Sequence, residues 1–193
     1  MVAPMTADTS TGTDTTSAPA LPLTRGRWAL DELHSSVNFA IRHLGLAKVR
    51  GRFTDFDATL TVGDTPDDVV VEASVALASI DTGNADRDAH VLSHEFLHAD
   101  KNPTMTFRST RVTGAGADWQ MAGDLTIAGV TQPVVWDVEF GGTNEMMGRL
   151  HAGFSVSGQV SRKDHGLDFG AVGNAGLGDV VKFDLDLEFL APA

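Results

Sequence analysis

The chain has no cysteine, which excludes disulfides, thiolate metal sites and a cysteine nucleophile while leaving the compartment open. Basic residues are also scarce: 14 lysines and arginines stand against 26 acidic residues, a formal net charge of −12. A phosphate backbone or an anionic membrane is repelled overall, so nucleic acid is not an expected partner. Nor does any apolar run approach the roughly 20 residues of a membrane helix, and no integral membrane segment is expected. Residues 1–24, MVAPMTADTSTGTDTTSAPALPLT, show neither the basic start nor the apolar stretch of a signal peptide. Their Thr, Ser, Ala and Pro content predicts a disordered tail, and a cytoplasmic location is the simplest expectation. Residues 25–193 then make one domain, long enough to bury a core without disulfides or metal.

What is present, from Trp28 onward, is a period of two, the mark of strands with one buried face. Val181, Phe183, Leu185, Leu187 and Phe189 alternate with Lys182, Asp184, Asp186 and Glu188. Val134 to Phe140 and Phe154 to Val160 repeat the pattern. Further strands are predicted at Val37–Ile41, Val49–Val62, Asp68–Ser79, Thr104–Val112 and Trp119–Ile127, separated by turn-forming clusters such as GDTPDD and TGAGAD. About eight strands, each apolar on one side, close into a barrel or pack as a sandwich. Their length and inward-facing glycines favour an antiparallel eight-stranded barrel, a size that holds one small ligand. Period alone does not separate a filled core from a cavity.

Between Asp81 and Pro103 the period changes, and ADRDAHVLSHEFLHAD predicts one helical insertion of three or four turns, capped by Asn84 or Thr82. Ala85, Ala89, Leu92, Phe96 and Ala99 share one arc, the expected packing face, with His90, His94 and His98 on the opposite, wet side. Within it, HEFLH matches the H-E-x-x-H zinc-peptidase signature: His94 and His98 as ligands, Glu95 as base. No further histidine or second helix supplies the remaining ligand, so a solvated helix face is the simpler reading. Asp31, His34 and Ser35 raise a hydrolytic set, yet no strand-to-helix nucleophile elbow follows, and turn chemistry accounts for them.

Five phrases, WALDELHSSVNFAIRHLGLAKVRGRF, SIDTGNADRDAHVLSHEFL, NPTMTFRST, GDLTIAGVTQPV and SRKDHGLDFG, resemble in order and spacing the YceI-like family, over about Trp28 to Leu190. The resemblance implies a lipocalin-like, eight-stranded barrel with a helical excursion, binding a polyisoprenoid or similar long-chain lipid inside, without catalysis. It implies no cofactor and no bound metal. A homodimer, and a periplasmic or secreted alternative for the location, rest on the resemblance alone. His165 stands where the family commonly has an aromatic residue.

With that resemblance, inward positions become candidate ligand contacts: Val37, Phe39, Ile41, Phe53 and Phe56 in the first half, then Phe107, Leu125 and Trp136. Phe154, Val156, Phe183 and Leu185 complete the apolar set. His43, on the face of Phe39 and Ile41, is a candidate partner for a polar head, or equally a core histidine. Two other readings stay open at this point: a metal-dependent hydrolase using the HEFLH segment, and an interaction module whose barrel is filled by these same side chains.

Overall fold

The computed structural model describes residues 22–65 and 68–192, so residues 1–21 of the predicted tail lie outside the described residues. Eleven antiparallel strands form one sheet. They are β1 (Gly26–Leu30), β2 (Ser36–His43), β3 (Ala47–Phe53), β4 (Phe56–Val62), β5 (Val70–Ala76) and β6 (Ile80–Asp81), followed by β7 (Thr104–Ala115), β8 (Asp118–Ile127), β9 (Val130–Met146), β10 (Arg149–Ser161) and β11 (Leu177–Leu190). The first six are three wall strands, each broken once: a 3-10 turn at Glu32–His34 splits β1 from β2, Thr54–Asp55 splits β3 from β4, and a second 3-10 turn at Leu77–Ser79 splits β5 from β6.

Counted this way the wall has the eight strands predicted, each bonded to its neighbour in sequence. The ring runs β1-β4-β5-β7-β8-β9-β10-β11 and closes where Ala29 and Leu30 of β1 pair with Leu190 and Phe189 of β11. Alternation in β11 survives intact: Phe183 and Phe189 are buried while Lys182, Asp184 and Asp186 are exposed. Two of the inward glycines seat aromatic rings flat against the wall. A Cβ on Gly158 would stand where the Trp136 ring lies, and one on Gly51 would meet Phe39.

Closure is incomplete at one end. Beyond the breaks, β11 pairs with β2, β2 with β3, and β3 with β6 through Arg52↔Asp81 and Phe53↔Ile80. Among the described residues β6 has no pairing with β7. Residues 82–103 fill that seam. Their helix, α1 (Ala85–Leu92), has eight residues, two turns where three or four were expected. Asn84 caps it, its Oδ1 accepting from the Arg87 amide at 2.9 Å. Ser93 ends it: its hydroxyl donates to the His90 carbonyl at 2.7 Å, and the chain folds back so that the Leu97 and Ala99 amides reach the carbonyls of Val91 and Leu92.

This early stop corrects the predicted packing face. Ala85 and Ala89 are exposed, and the side chains laid on the barrel are Val91 and Leu92 from the helix with Leu97 and Ala99 from the turn after it. A second short helix, α2 (Gly170–Gly176), lies in the β10–β11 connection, where only one helical insertion was expected.

Candidate functional site

At the helical end the wall encloses a cavity of about 480 Å³. Its depth is made by buried side chains from five strands and the turn before β6: Phe53, Leu77, Ile80, Met105, Ile127 and Val160, with Phe183 beneath them. Phe183 meets Trp136 edge to face at 5.8 Å, and Trp136 meets Phe107 likewise at 6.2 Å. Phe183 is the floor of the cavity, and Trp136 and Phe107 back it from the core. Below the floor, among Trp119, Phe154 and Phe189, lies a gap of about 50 Å³. Trp28 is fully buried, with its indole N–H donating to the Thr24 carbonyl at 2.8 Å.

The thirteen candidate contacts separate along this axis. Phe39, Ile41, His43, Phe53 and Phe183 line the cavity. Phe154 and Val156 border the small gap at the tryptophan end. Val37, Leu125 and Trp136 are buried in the core, while Phe56, Phe107 and Leu185 are partly buried against it; none of these six lines either space.

Several lining residues were not among those candidates, and most come from the two connections over the mouth. Val91, Phe96 and Leu97 come from the α1 segment; Leu167, Phe169 and Leu177 come from the β10–β11 side. Phe96 packs against Phe169 with ring centres 4.0 Å apart and planes tilted by 40°, bridging the two connections across the opening. The His90 ring is exposed, as expected, and also stands against Phe96 at 4.7 Å at the rim of the mouth, its Nε2 at 2.8 Å from a Glu95 oxygen.

Arg162 is the one strongly buried ionic group of the lining, 3% exposed. Its Nε donates to the Gly178 carbonyl at 2.9 Å, and one terminal nitrogen donates to the Leu167 carbonyl. The other donates to Asn174 Oδ1 at 2.7 Å and the Leu177 carbonyl at 3.1 Å. The Phe169 ring centre lies 4.8 Å from the guanidinium carbon. A signal for this residue was legible: Phe154, Val156, Gly158 and Val160 face inward, and period two puts Arg162 next on the same side. Nearby, His165 is 2% exposed, with Nδ1 at 3.0 Å from the Val130 carbonyl, tying this connection to the β8–β9 turn. Asp168 is held below the usual carboxylate range, first by the hydrogen bond from Asn174, then by the Gly170 amide, with smaller contributions from the charges of Lys163 and Arg162.

The HEFLH segment lacks the helical geometry its signature requires. His94 and Glu95 lie beyond the end of α1, and the two histidine rings are 6.5 Å apart. Glu95 is engaged with His90, and His98 sits 3.5 Å from Asp100. Asp31 and His34 serve the β1–β2 break, as turn chemistry suggested: Asp31 caps the 3-10 turn, accepting from the Leu33 amide at 3.1 Å, and one of its oxygens lies 3.0 Å from His34 Nδ1. That hydrogen bond is the main reason the Asp31 carboxyl is lowered and the His34 ring raised from their ordinary values. On the outer wall beside them, His151 Nδ1 meets a Glu188 oxygen at 2.6 Å.

Known proteins share this barrel. A sequence profile described as a YceI-like domain matches residues 28–189. A UPF0312 protein of Staphylococcus epidermidis is 38% identical over 170 residues, 84% of this chain and 96% of that protein. A protein of Escherichia coli with the name YceI is 40% identical over 133 residues, 68% of this chain and 70% of the other. Among solved structures, a polyisoprenoid binding domain from Saccharophagus degradans, implicated in plant cell wall breakdown, superposes with a TM-score of 0.64. It is 15% identical, covering 86% of this chain and 98% of that one, and shows a shared fold.

Proposed function

Because the chain belongs to the YceI-like family, we propose that it is a non-catalytic binding protein that takes a long apolar ligand, an isoprenoid or comparable fatty chain, into the helical end of its barrel for storage or transport. The observation that carries this reading is the 480 Å³ cavity with its apolar depth, in a molecule whose opposite end is filled. Pockets for small molecules run at roughly 300–1,000 Å³. Taking a methylene as about the size of a water, roughly 30 Å³, the cavity has room for on the order of sixteen chain carbons. At about 0.8 kcal/mol per buried methylene, an apolar slot suffices to hold such a chain without specific polar contacts. The shared fold with the polyisoprenoid binding domain from Saccharophagus degradans supports the same class of ligand. A barrel filled throughout is not favoured, because the filling stops at Phe183 and Trp136.

Native mass spectrometry and organic extraction of the purified protein test the reading. The expected result is a co-purifying lipid, or stoichiometric uptake of a prenyl or fatty ligand after delipidation. A correctly folded, delipidated protein that takes up no prenyl or fatty compound would overturn it. The homodimer implied by family membership is a further part of the proposal, and light scattering on the purified chain decides it.

A further inference from the structure

The whole chain carries a net charge of −12, yet every ionisable side chain lining the cavity is basic: His43, Arg87, His90 and Arg162, with no aspartate or glutamate among them. The carboxylates nearest the mouth are turned to other tasks. Glu95 is bonded to His90, Asp88 accepts from the amide and hydroxyl of Thr82, and Asp168, the carboxylate near enough to feel the Arg162 charge, accepts from Asn174 and the Gly170 amide and makes no ion pair with the guanidinium. Arg162 is the decisive group. It is 3% exposed and takes part in none of the ion pairs among the described residues. All four of its hydrogen bonds go to neutral oxygens. A guanidinium has five N–H donors, so one of them, on the nitrogen bonded to Leu167, is not used in these contacts.

A cation taken out of water is costly unless an opposite charge accompanies it. Neutral carbonyls offset part of that cost; a charge-assisted bond to an oxyanion offsets more. Arg162 follows the last residue of β10, above the apolar depth and beneath Phe169, so an anion against it leaves room for a chain running down toward Phe183. Arg87 stands further out, already held by two bonds to Thr82 at 2.7 Å.

On the reading that the cavity holds a long chain, we propose that its ligand carries an acidic head, a carboxylate or phosphate, seated at Arg162, and that neutral chains of equal length bind more weakly. Direct binding to delipidated full-length protein tests this. Palmitic acid is compared with hexadecanol and palmitamide, and geranylgeranyl monophosphate with geranylgeraniol, by displacement of a neutral fluorescent probe at pH 7.

The expected result is an acid bound about tenfold or more tightly than its matched alcohol and amide, with the preference abolished in R162Q and partly retained in R162K. Preference within the fatty series alone, or within the prenyl pair alone, identifies the head as carboxylate or phosphate. Equal affinity of acid and neutral analogues in the wild-type protein overturns the acidic head while leaving the chain-binding cavity standing. Failure of all five compounds instead overturns the chain-binding reading. Since the wild-type ligand series decides the matter, the proposal stays testable even if R162Q does not fold.

Discussion

The two ends of this barrel are built from the same alternating strands, and only one of them holds a space. At the tryptophan end the ring of hydrogen bonds is complete, and Trp28, Trp119, Phe140, Phe154 and Phe189 fill what it encloses, leaving about 50 Å³. At the helical end the ladder is interrupted between β6 and β7, and the lid is two loops that meet through Phe96 and Phe169; there the space is about 480 Å³. Inward apolar residues alone therefore do not decide between core and pocket. What decides is whether side chains from opposite walls reach each other, and a wall widened by an excursion keeps them apart.

Four measurements bear on that contrast. The largest effect is expected from Trp28→Ala: truncating a fully buried indole at the filled end costs about 3–5 kcal/mol, read from urea unfolding, while the fraction still folded takes up ligand as before. Leu77→Ala removes a side chain that is 1% exposed but borders the cavity. Its cost is expected near the low end of the usual Leu→Ala range, about 2–3 kcal/mol, because fewer neighbours face it, and the enlarged cavity accepts a longer chain. A cost as high as that of Trp28→Ala would mean that the helical end is packed as tightly as the other.

Smaller still is Phe96→Ala. It should change stability by less than about 1 kcal/mol, since the residue lies partly exposed in a turn, yet speed ligand dissociation several-fold in stopped-flow release. Unchanged release would show that the Phe96–Phe169 contact is not part of the lid.

The smallest effect concerns pH at the β1–β2 break. Asp31 is lowered, so its contribution to stability is complete above its ordinary value of 3.8 and is lost as pH falls through the lowered one. His34 is raised, so its contribution is complete below its ordinary value of 6.5 and is lost as pH rises through the raised one. Both are present between those two values. The stability difference between wild type and Asp31→Asn should therefore be greatest near about pH 5 and shrink on either side, measured as urea midpoints across the range.

Period two made the wall legible in the sequence, including the count of eight and the wet and dry faces of β9, β10 and β11. The turn at Asp31–His34 was legible, but the other two strand breaks were not, because Thr54–Asp55 and Leu77–Ser79 interrupt pairing without interrupting the apolar pattern. Extrapolating a helical arc from Ala85 to Ala99 failed because one hydroxyl, on Ser93, ends α1 at half its expected length. The apolar candidate contacts lie on faces turned to the core or the cavity, but height along the barrel is set by register. Register puts Phe154 and Val156 at one end, Phe39 and Phe183 at the other, and Trp136 between them. Arg162 and His43 share a simpler pattern: each continues an inward row past its apolar members, His43 after Ile41 and Arg162 after Val160, and a polar residue at the end of such a row marks the mouth.

The seam between β6 and β7 also sets a clock. Elsewhere a chain could cross the wall only by breaking a continuous ladder, which links its passage to opening a large cooperative unit of the molecule. Here residues 82–103 lie over the gap, tied mostly by short-range turns and a few side chains. A segment held in this way opens locally at lower cost than the ring below it, so the proposed ligand would need no global unfolding to enter or leave. Amide exchange in that segment and escape of the proposed ligand are then expected to share one opening event, with exchange at the tryptophan end following the slower time of global unfolding.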